Sequence, residues 1–232
     1  MTTSADHHDA DGQLSLELPH EVALGHEDFF ISSSNEHAYE LIETWPDWPK
    51  RMLMLIGPEG SGKTHLGSIW SHTVAAKIIS AADLSRDAIP RLAENPALVI
   101  EDLPGQDLDE TALFHLLNLI NEQHGALLMT SSTYPSVWET RLPDLASRLR
   151  AVPVVELKQP DEALLRAVLV KLFADRQLKV EEPVITYLLS RMERSIANAR
   201  QLVDVLDRKS MSEAARVSRP FAAKVLKSLD AE

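Results

Sequence analysis

The chain has 232 residues, 44% of them apolar, and a formal net charge of −12; that length allows one large domain, or one with a small companion, around an ordinary core. It contains no cysteine, which excludes disulfides and thiolate zinc sites and agrees with a reducing cytoplasm. No stretch approaches the roughly 18 apolar residues of a membrane span, and the N-terminus lacks the basic and apolar regions of a signal peptide, so a soluble, intracellular, cytoplasmic protein is expected.

The charge is unevenly placed. Residues 1–50 hold eleven acids and a single base, Lys50, so −10 of the −12 lies there and the remainder is nearly neutral. Strong nucleic-acid binding by the whole surface is disfavoured, because duplex contacts need clustered Lys and Arg. Residues 1–12 are small, polar and acidic and are expected to be disordered; His7 and His8 read as part of a solvated tail. Gln13-Leu14-Ser15-Leu16-Glu17-Leu18 is a short alternating apolar string ahead of Pro19. It cannot form a core alone. Three leucines and a glutamine on a tether suit a peptide that docks in another protein's groove, with an edge strand on this same domain as the other reading.

Leu24–Glu43 places Phe29, Phe30 and Ile31 before a helix started by Ser34 or Asn35, with Ala38, Leu41 and Ile42 on its apolar face. Phe30 and Ile31 lie where they can line an adenine pocket, while ordinary core packing also suits the two phenylalanines. Trp45 and Trp48, flanking Pro46 and Pro49, mark a loop. Met52–Ile56 is five apolar residues in a row, the pattern of a buried parallel strand. Gly57-Pro58-Glu59-Gly60-Ser61-Gly62-Lys63-Thr64 then fits G-x-x-x-x-G-K-[ST], and Leu66, Ile69 and Trp70 follow at helical spacing. Strand, glycine loop and helix come in the order a phosphate cradle requires. The glycines let backbone N–H groups wrap an anion, and the helix N-terminus, with His65 just inside it, adds partial positive charge. Lys63 reaches the β and γ phosphates, and the Thr64 hydroxyl ligates Mg²⁺.

Val74–Ile79 is expected to be a second strand and Ala81–Leu92 a helix disturbed at its end by Pro90. Ala97–Ile100 is a third strand ending in Glu101-Asp102, acids placed to hold Mg²⁺ and polarise water beside the phosphate loop. Asp107-x-x-Glu110 looks like a capping box for a helix carrying Leu113, Leu116, Leu117 and Ile120. Ala126–Met129 is a fourth strand, closed by Thr130-Ser131-Ser132, whose hydroxyls either sense a γ phosphate or cap the strand. Leu142–Arg150 is a short helix with two arginines, and Val152–Leu157 a fifth strand. Helices follow at 161–175, 183–193, 195–211 and 218–230, with Ser195 and Ser218 as caps. Between residues 208 and 227 six bases face one acid, Glu213; a solvated helix face is favoured there over a DNA patch. The expected architecture is an α/β fold, a parallel five-stranded P-loop sheet sandwiched by helices, with a small α-helical lid. Its expected division is a tail over 1–22, a nucleotide-binding domain over 23–159 and the lid over 160–232.

The phosphate loop, the acidic strand end, LLMTSSTYP, DLASRL and the Ser34-Asn35 helix start together resemble the AAA+ ATPases, and within them the DnaA replication-initiator group, over residues 13–232. Gln13-Leu14-Ser15-Leu16 resembles the clamp-binding peptide of bacterial replication proteins, with Gln13, Leu14, Leu16 and Leu18 as the contacting residues. The chain stops after the lid, so the initiators' helix-turn-helix DNA-binding domain is not expected. The resemblance therefore points to a regulatory DnaA homologue that restrains re-initiation in the bacterial cytoplasm, at the replisome. It implies ADP or ATP with Mg²⁺ as cofactors. As partners it implies the DNA polymerase III sliding clamp (beta subunit) and DnaA, with DNA reached only through the clamp, no membrane, and self-association open. It also implies that Lys63 and Thr64 hold nucleotide and metal, Asp102 and Glu101 form the acidic strand end with Asp102 on the metal, Ser132 or Ser131 is the sensor, Arg148 the arginine finger and Arg200 the second sensor. Glu101 stands where relatives carry Asp, and a hydroxyl stands where initiators often carry an acid; both departures imply weak intrinsic turnover. A stand-alone ATPase of the helicase-loader type is the rival reading. A small-molecule kinase is disfavoured by the helical domain that follows the sheet.

Overall fold

The computed structural model describes residues 29–229; the readings of His7, His8 and Gln13–Leu18 lie outside the described residues. Five strands, β1 (Met52–Ile56), β2 (Lys77–Ser80), β3 (Ala97–Leu103), β4 (Ala126–Ser131) and β5 (Val154–Glu156), form one sheet in the order β2-β3-β4-β1-β5. Every pairing is parallel, with Met52 opposite Leu127 and Met54 opposite Val154. β1 is buried at all five positions, as its unbroken apolar run requires of a strand covered on both faces.

The two faces meet different helices, because successive side chains point to opposite sides. Met54, Ile56, Leu98 and Ile100 pack with residues of α3 (Ile89–Ala93), α4 (Glu110–Glu122) and α5 (Pro143–Arg150). Leu53, Leu55, Val99 and Leu128 pack with α1 (Glu36–Glu43) and α2 (Lys63–Val74). Trp45 and Trp48, read as a loop, join this second core: both rings lie within 5.4 Å of the Trp70 ring. Beyond β5, α6 (Glu162–Asp175), α7 (Glu182–Leu189), α8 (Ile196–Ser212) and α9 (Arg219–Leu229) enclose a separate core that includes Leu169, Phe173, Leu188, Val203, Leu206 and Phe221. This is the α/β sheet and helical lid that the sequence leads one to expect. No helix among the described residues is long and apolar enough to cross a membrane.

Local readings fail where one side chain decides. Ala75, at φ 53, ends α2, so Val74 closes a helix and β2 begins only at Lys77. Residues 81–93 are two 3₁₀ turns followed by α3, with Pro90 in the first turn of α3, where its missing N–H costs nothing. The cap of α4 is Asp109, whose Oδ1 accepts from Ala112 N at 2.9 Å, not Asp107. Asn35 stands at the start of α1 without capping it. Its amide instead accepts from Ser32 N (2.8 Å) and donates to Phe30 O (2.9 Å), folding the preceding segment back.

Candidate nucleotide-binding site

β1 runs straight into the glycine loop. Gly57 N donates to Ser131 O at 3.1 Å, and a Cβ on Gly57 would fall 2.3 Å from Leu157 O, so no larger residue fits. Gly62, at φ +104, starts α2 without any side-chain cap, which leaves the first-turn N–H groups turned toward the loop. Lys63 is 8% exposed. Its Nζ donates to Gly57 O (2.7 Å) and Pro58 O (3.0 Å), carbonyls of the loop itself. Burial pushes its pKa down, while Asp102, Glu59 and Glu101 pull it back up. Ser61 Oγ is buried with no hydrogen-bond partner. Buried polar atoms rarely stay unpaired. An orphan hydroxyl and a buried ammonium held only by neutral carbonyls, above a helix N-terminus, fit a phosphate group.

The acids come from the far end of β3. Ile100 pairs with Met129, but Leu103 pairs with Ser131, so a one-residue bulge accommodates Glu101 and Asp102. Both lie inside the strand rather than after it. Asp102 has φ 62, a left-handed conformation that costs a side-chain-bearing residue about 1 kcal/mol or more; its N–H donates to the buried Thr130 Oγ1 at 3.0 Å. Asp102 is exposed, Glu101 half-buried. Burial raises the Glu101 pKa most; a hydrogen bond from Thr64 and the Lys63 charge oppose that, and Asp102 adds to it. Glu101 Oε1 is buried and unpartnered. Thr64 and Glu101 are thus in contact, with Asp102 next in chain, a set of hard oxygens suited to Mg²⁺. No cluster of three or more His, Cys, Asp or Glu that could hold a metal by itself occurs among the described residues.

Ser131 is fully buried and occupied: its hydroxyl donates to Thr133 O (2.7 Å) and accepts from Thr133 N (3.0 Å). Ser132 faces solvent, which favours it over Ser131 as a group that meets a ligand. On the other side of the loop, Phe29 stacks on Tyr39 (5.5 Å) and meets the buried His65 edge-on (5.3 Å). Phe30 is half-buried and Ile31 is 53% exposed.

The lid touches the loop directly, a contact that sequence reasoning missed. Ile196 N donates to Gly60 O at 3.0 Å. Gly60 has φ +71, and a Cβ there would lie 2.0 Å from Ser195 Oγ. The available signals were a glycine at a free position of the motif and a serine read only as a cap. That cap exists: Ser195 Oγ accepts from Asn198 N at 3.2 Å. Arg200 follows one turn along α8, half-buried. Burial lowers its pKa, Arg176 adds to this, and Asp204 opposes it. Arg176 ion-pairs with both Asp204 and Asp207, and no ion pair holds Arg200 among the described residues.

Arg148 is elsewhere. It is exposed on α5, its guanidinium 5.2 Å from the Phe114 ring centroid. It lines a hollow with Lys50, Met52 and Leu117, at the start of β1, whereas the glycine loop follows the end of β1. Five residues of strand, roughly 16 Å, separate the two ends. No ion pair holds Arg148 among the described residues.

A parallel sheet in this order, with a glycine loop and its lysine after the first strand and acids on the third, makes a P-loop α/β fold followed by an α-helical lid. Residues 161–226 match the family described as Hda, lid domain. An uncharacterized protein of Haemophilus influenzae is 26% identical over 183 residues, 73% of this chain and 79% of its own. Among solved structures, domain III of the replication initiation protein DnaA from Thermotoga maritima is similar with a TM-score of 0.75 at 19% identity, covering 88% of this chain and 96% of that one. AMPPCP-bound DnaA from Aquifex aeolicus has a TM-score of 0.63 at 18% identity, covering 81% and 68%. The chain thus carries an Hda-like lid over residues 161–226 and shares the fold of DnaA domain III.

Proposed function

We propose that this protein binds an adenine nucleotide with Mg²⁺ and, held at the sliding clamp, stimulates ATP hydrolysis by DnaA so that replication is not re-initiated. Lys63 and the loop from Gly57 to Gly62 cradle the phosphates, Thr64 and Asp102 hold the metal with Glu101 beside them, and Ser132 and Arg200 face the γ end. Phe30 and Ile31 flank the base with His65 behind. Bound nucleotide supplies a phosphate bridge between the loop and α8, and so stiffens the lid against the sheet. The peptide at Gln13, Leu14, Leu16 and Leu18, outside the described residues, provides the clamp tether and raises the local concentration of this chain where replication is under way.

The observation that carries the reading is the setting of Arg148: exposed, without an ion pair to any described residue, and a strand's length from its own glycine loop. An arginine so placed cannot serve the nucleotide of its own chain, but it can enter a neighbour's site. A guanidinium delivered in trans neutralises charge developing on γ-phosphoryl oxygens, an effect of the order of a thousandfold or more in other phosphoryl-transfer systems. The face of Phe114 beneath it orients the side chain at little entropic cost. Arg148→Ala tests this, with ADP formation by DnaA measured on clamp-loaded DNA. The expected result is loss of stimulation with clamp capture intact. Unchanged hydrolysis would remove the trans role and leave the stand-alone ATPase.

A further inference from the structure

The lid carries charge of the opposite sign to the rest of the molecule. Residues 161–229 hold thirteen Lys and Arg against nine Asp and Glu, a balance of +4, whereas residues 1–160 hold ten against twenty-four, −14. Several lid bases are committed within the lid: Arg166 to Glu162 and Glu182, Arg176 to Asp204 and Asp207, Lys171 to Asp175, Lys224 to Glu213. Others are not. Arg191, just past α7, and Arg219, the first residue of α9, converge on Tyr187. Their guanidinium carbons lie 5.2 Å and 5.5 Å from its ring centroid. Arg194 and Arg216 flank them in the chain; all four arginines are exposed, and none forms an ion pair with a described residue.

We infer that this arginine–tyrosine face of the lid binds the phosphodiester backbone of DNA. A guanidinium resting on an aromatic ring keeps its N–H edge outward while its swing is restricted, which suits the planar, bidentate recognition of phosphate. The −14 on the remainder of the chain repels nucleic acid, so the lid is the part that can approach it, and the field orients the molecule accordingly. The inference is independent of what the glycine loop binds. It adds a direct DNA contact to a protein whose other route to DNA is the clamp.

The test is anisotropy of fluorescently labelled single-stranded and duplex 20-mers with the full chain at about 50 and 200 mM salt, wild type against Arg191→Ala/Arg219→Ala. Removing two phosphate contacts is expected to weaken binding about tenfold and to lower the salt slope by about 2. Lys77→Ala/Arg86→Ala, which removes the same charge from the opposite sheet edge, is expected to leave both unchanged. Circular dichroism checks that each variant is folded. Weaker binding of either DNA by the Arg191/Arg219 variant, with a reduced salt slope, supports the inference. Binding that is absent, or equal in wild type and the Arg191/Arg219 variant, overturns it. So does an equal loss in both variants, or a change confined to self-association.

Discussion

The sheet and the lid are held together by different means, and they meet through little. Residues 52–157 are cross-linked by four parallel strand pairings with an apolar layer on each face. The lid is four helices over one cluster of its own. Between them the hydrogen bonds among the described residues are few. Ile196 N bonds to Gly60 O, and Ser33 Oγ donates to Asp161 Oδ2 at 3.1 Å. A joint that rests on a few hydrogen bonds can be reset by a ligand beside it, which a joint built from a continuous apolar core could not. Bistability here needs no strain elsewhere, because each half keeps its own core when the joint opens.

The sharpest way to break this comparison is to damage the lid core alone. Phe173 is 2% exposed and packs among Leu169, Leu188 and Leu206. Phe173→Ala removes a ring from a closed core, at a cost of about 3–5 kcal/mol. All four tryptophans, Trp45, Trp48, Trp70 and Trp138, precede the lid, so their fluorescence reports the sheet alone, whereas far-ultraviolet circular dichroism reports helices of both halves. In the variant the dichroism is expected to lose part of its amplitude at a lower temperature, with the tryptophan transition left near its original midpoint. If both probes fall together by the same amount, the halves unfold as one cooperative unit and the contrast drawn above is wrong.

The joint itself gives a smaller effect. Gly60→Ala must hold alanine at φ +71 and push its Cβ into Ser195 Oγ, a cost of about 2 kcal/mol. Ser195→Gly alone sacrifices a cap and is expected to cost only a few tenths. In the double variant the Ser195 side chain is gone, so only the backbone strain at position 60 remains. The pair should therefore cost less than the sum of the two singles, a coupling of about 1 kcal/mol by chemical denaturation. Strict additivity would mean that the loop and the lid do not press on each other in solution.

This joint also marks the limit of what the chain reveals as a string of letters. β1, the glycine loop and α2 were legible because an apolar run, three motif glycines and a helical repeat agree. The four lid helices were legible from their apolar spacing and from caps such as Ser195. Illegible were the features that depend on a partner distant in sequence. Nothing around Gly60 announces Ser195, and nothing in Trp45-Pro46 announces Trp70. Asp102 in the left-handed region has no local cause at all. Thr130, on the neighbouring strand, takes its N–H and makes that conformation tenable. Asp107 was read as the cap of α4, and only the turn before the helix shows that Asp109 takes that place. The arginines at Tyr187 were divided between two stretches read apart, one a helix end and the other a basic segment.

Asp161 supplies the gentlest test, because it belongs to both halves. Its Oδ1 accepts from Leu164 N at 2.8 Å, which caps α6, and its Oδ2 accepts from Ser33 on the sheet side. The Leu164 N–H, foremost, holds its pKa below the ordinary value; burial opposes it, and Ser32, Ser33 and Ala163 help it. A carboxylate whose pKa is depressed on folding contributes stability that is present above its unfolded pKa, near 4, and lost as pH falls through the folded value. Asn can still cap α6 but accepts with one oxygen, so Asp161→Asn is expected to cost about 1 kcal/mol or less at neutral pH. Its denaturation midpoint should also depend less on pH below about 4 than that of the wild type. The titration must be followed by circular dichroism, since the capped helix belongs to the lid. A variant that tracks the wild type at every pH would show that the joint draws nothing from this residue, and would leave Gly60 and Ile196 to carry it.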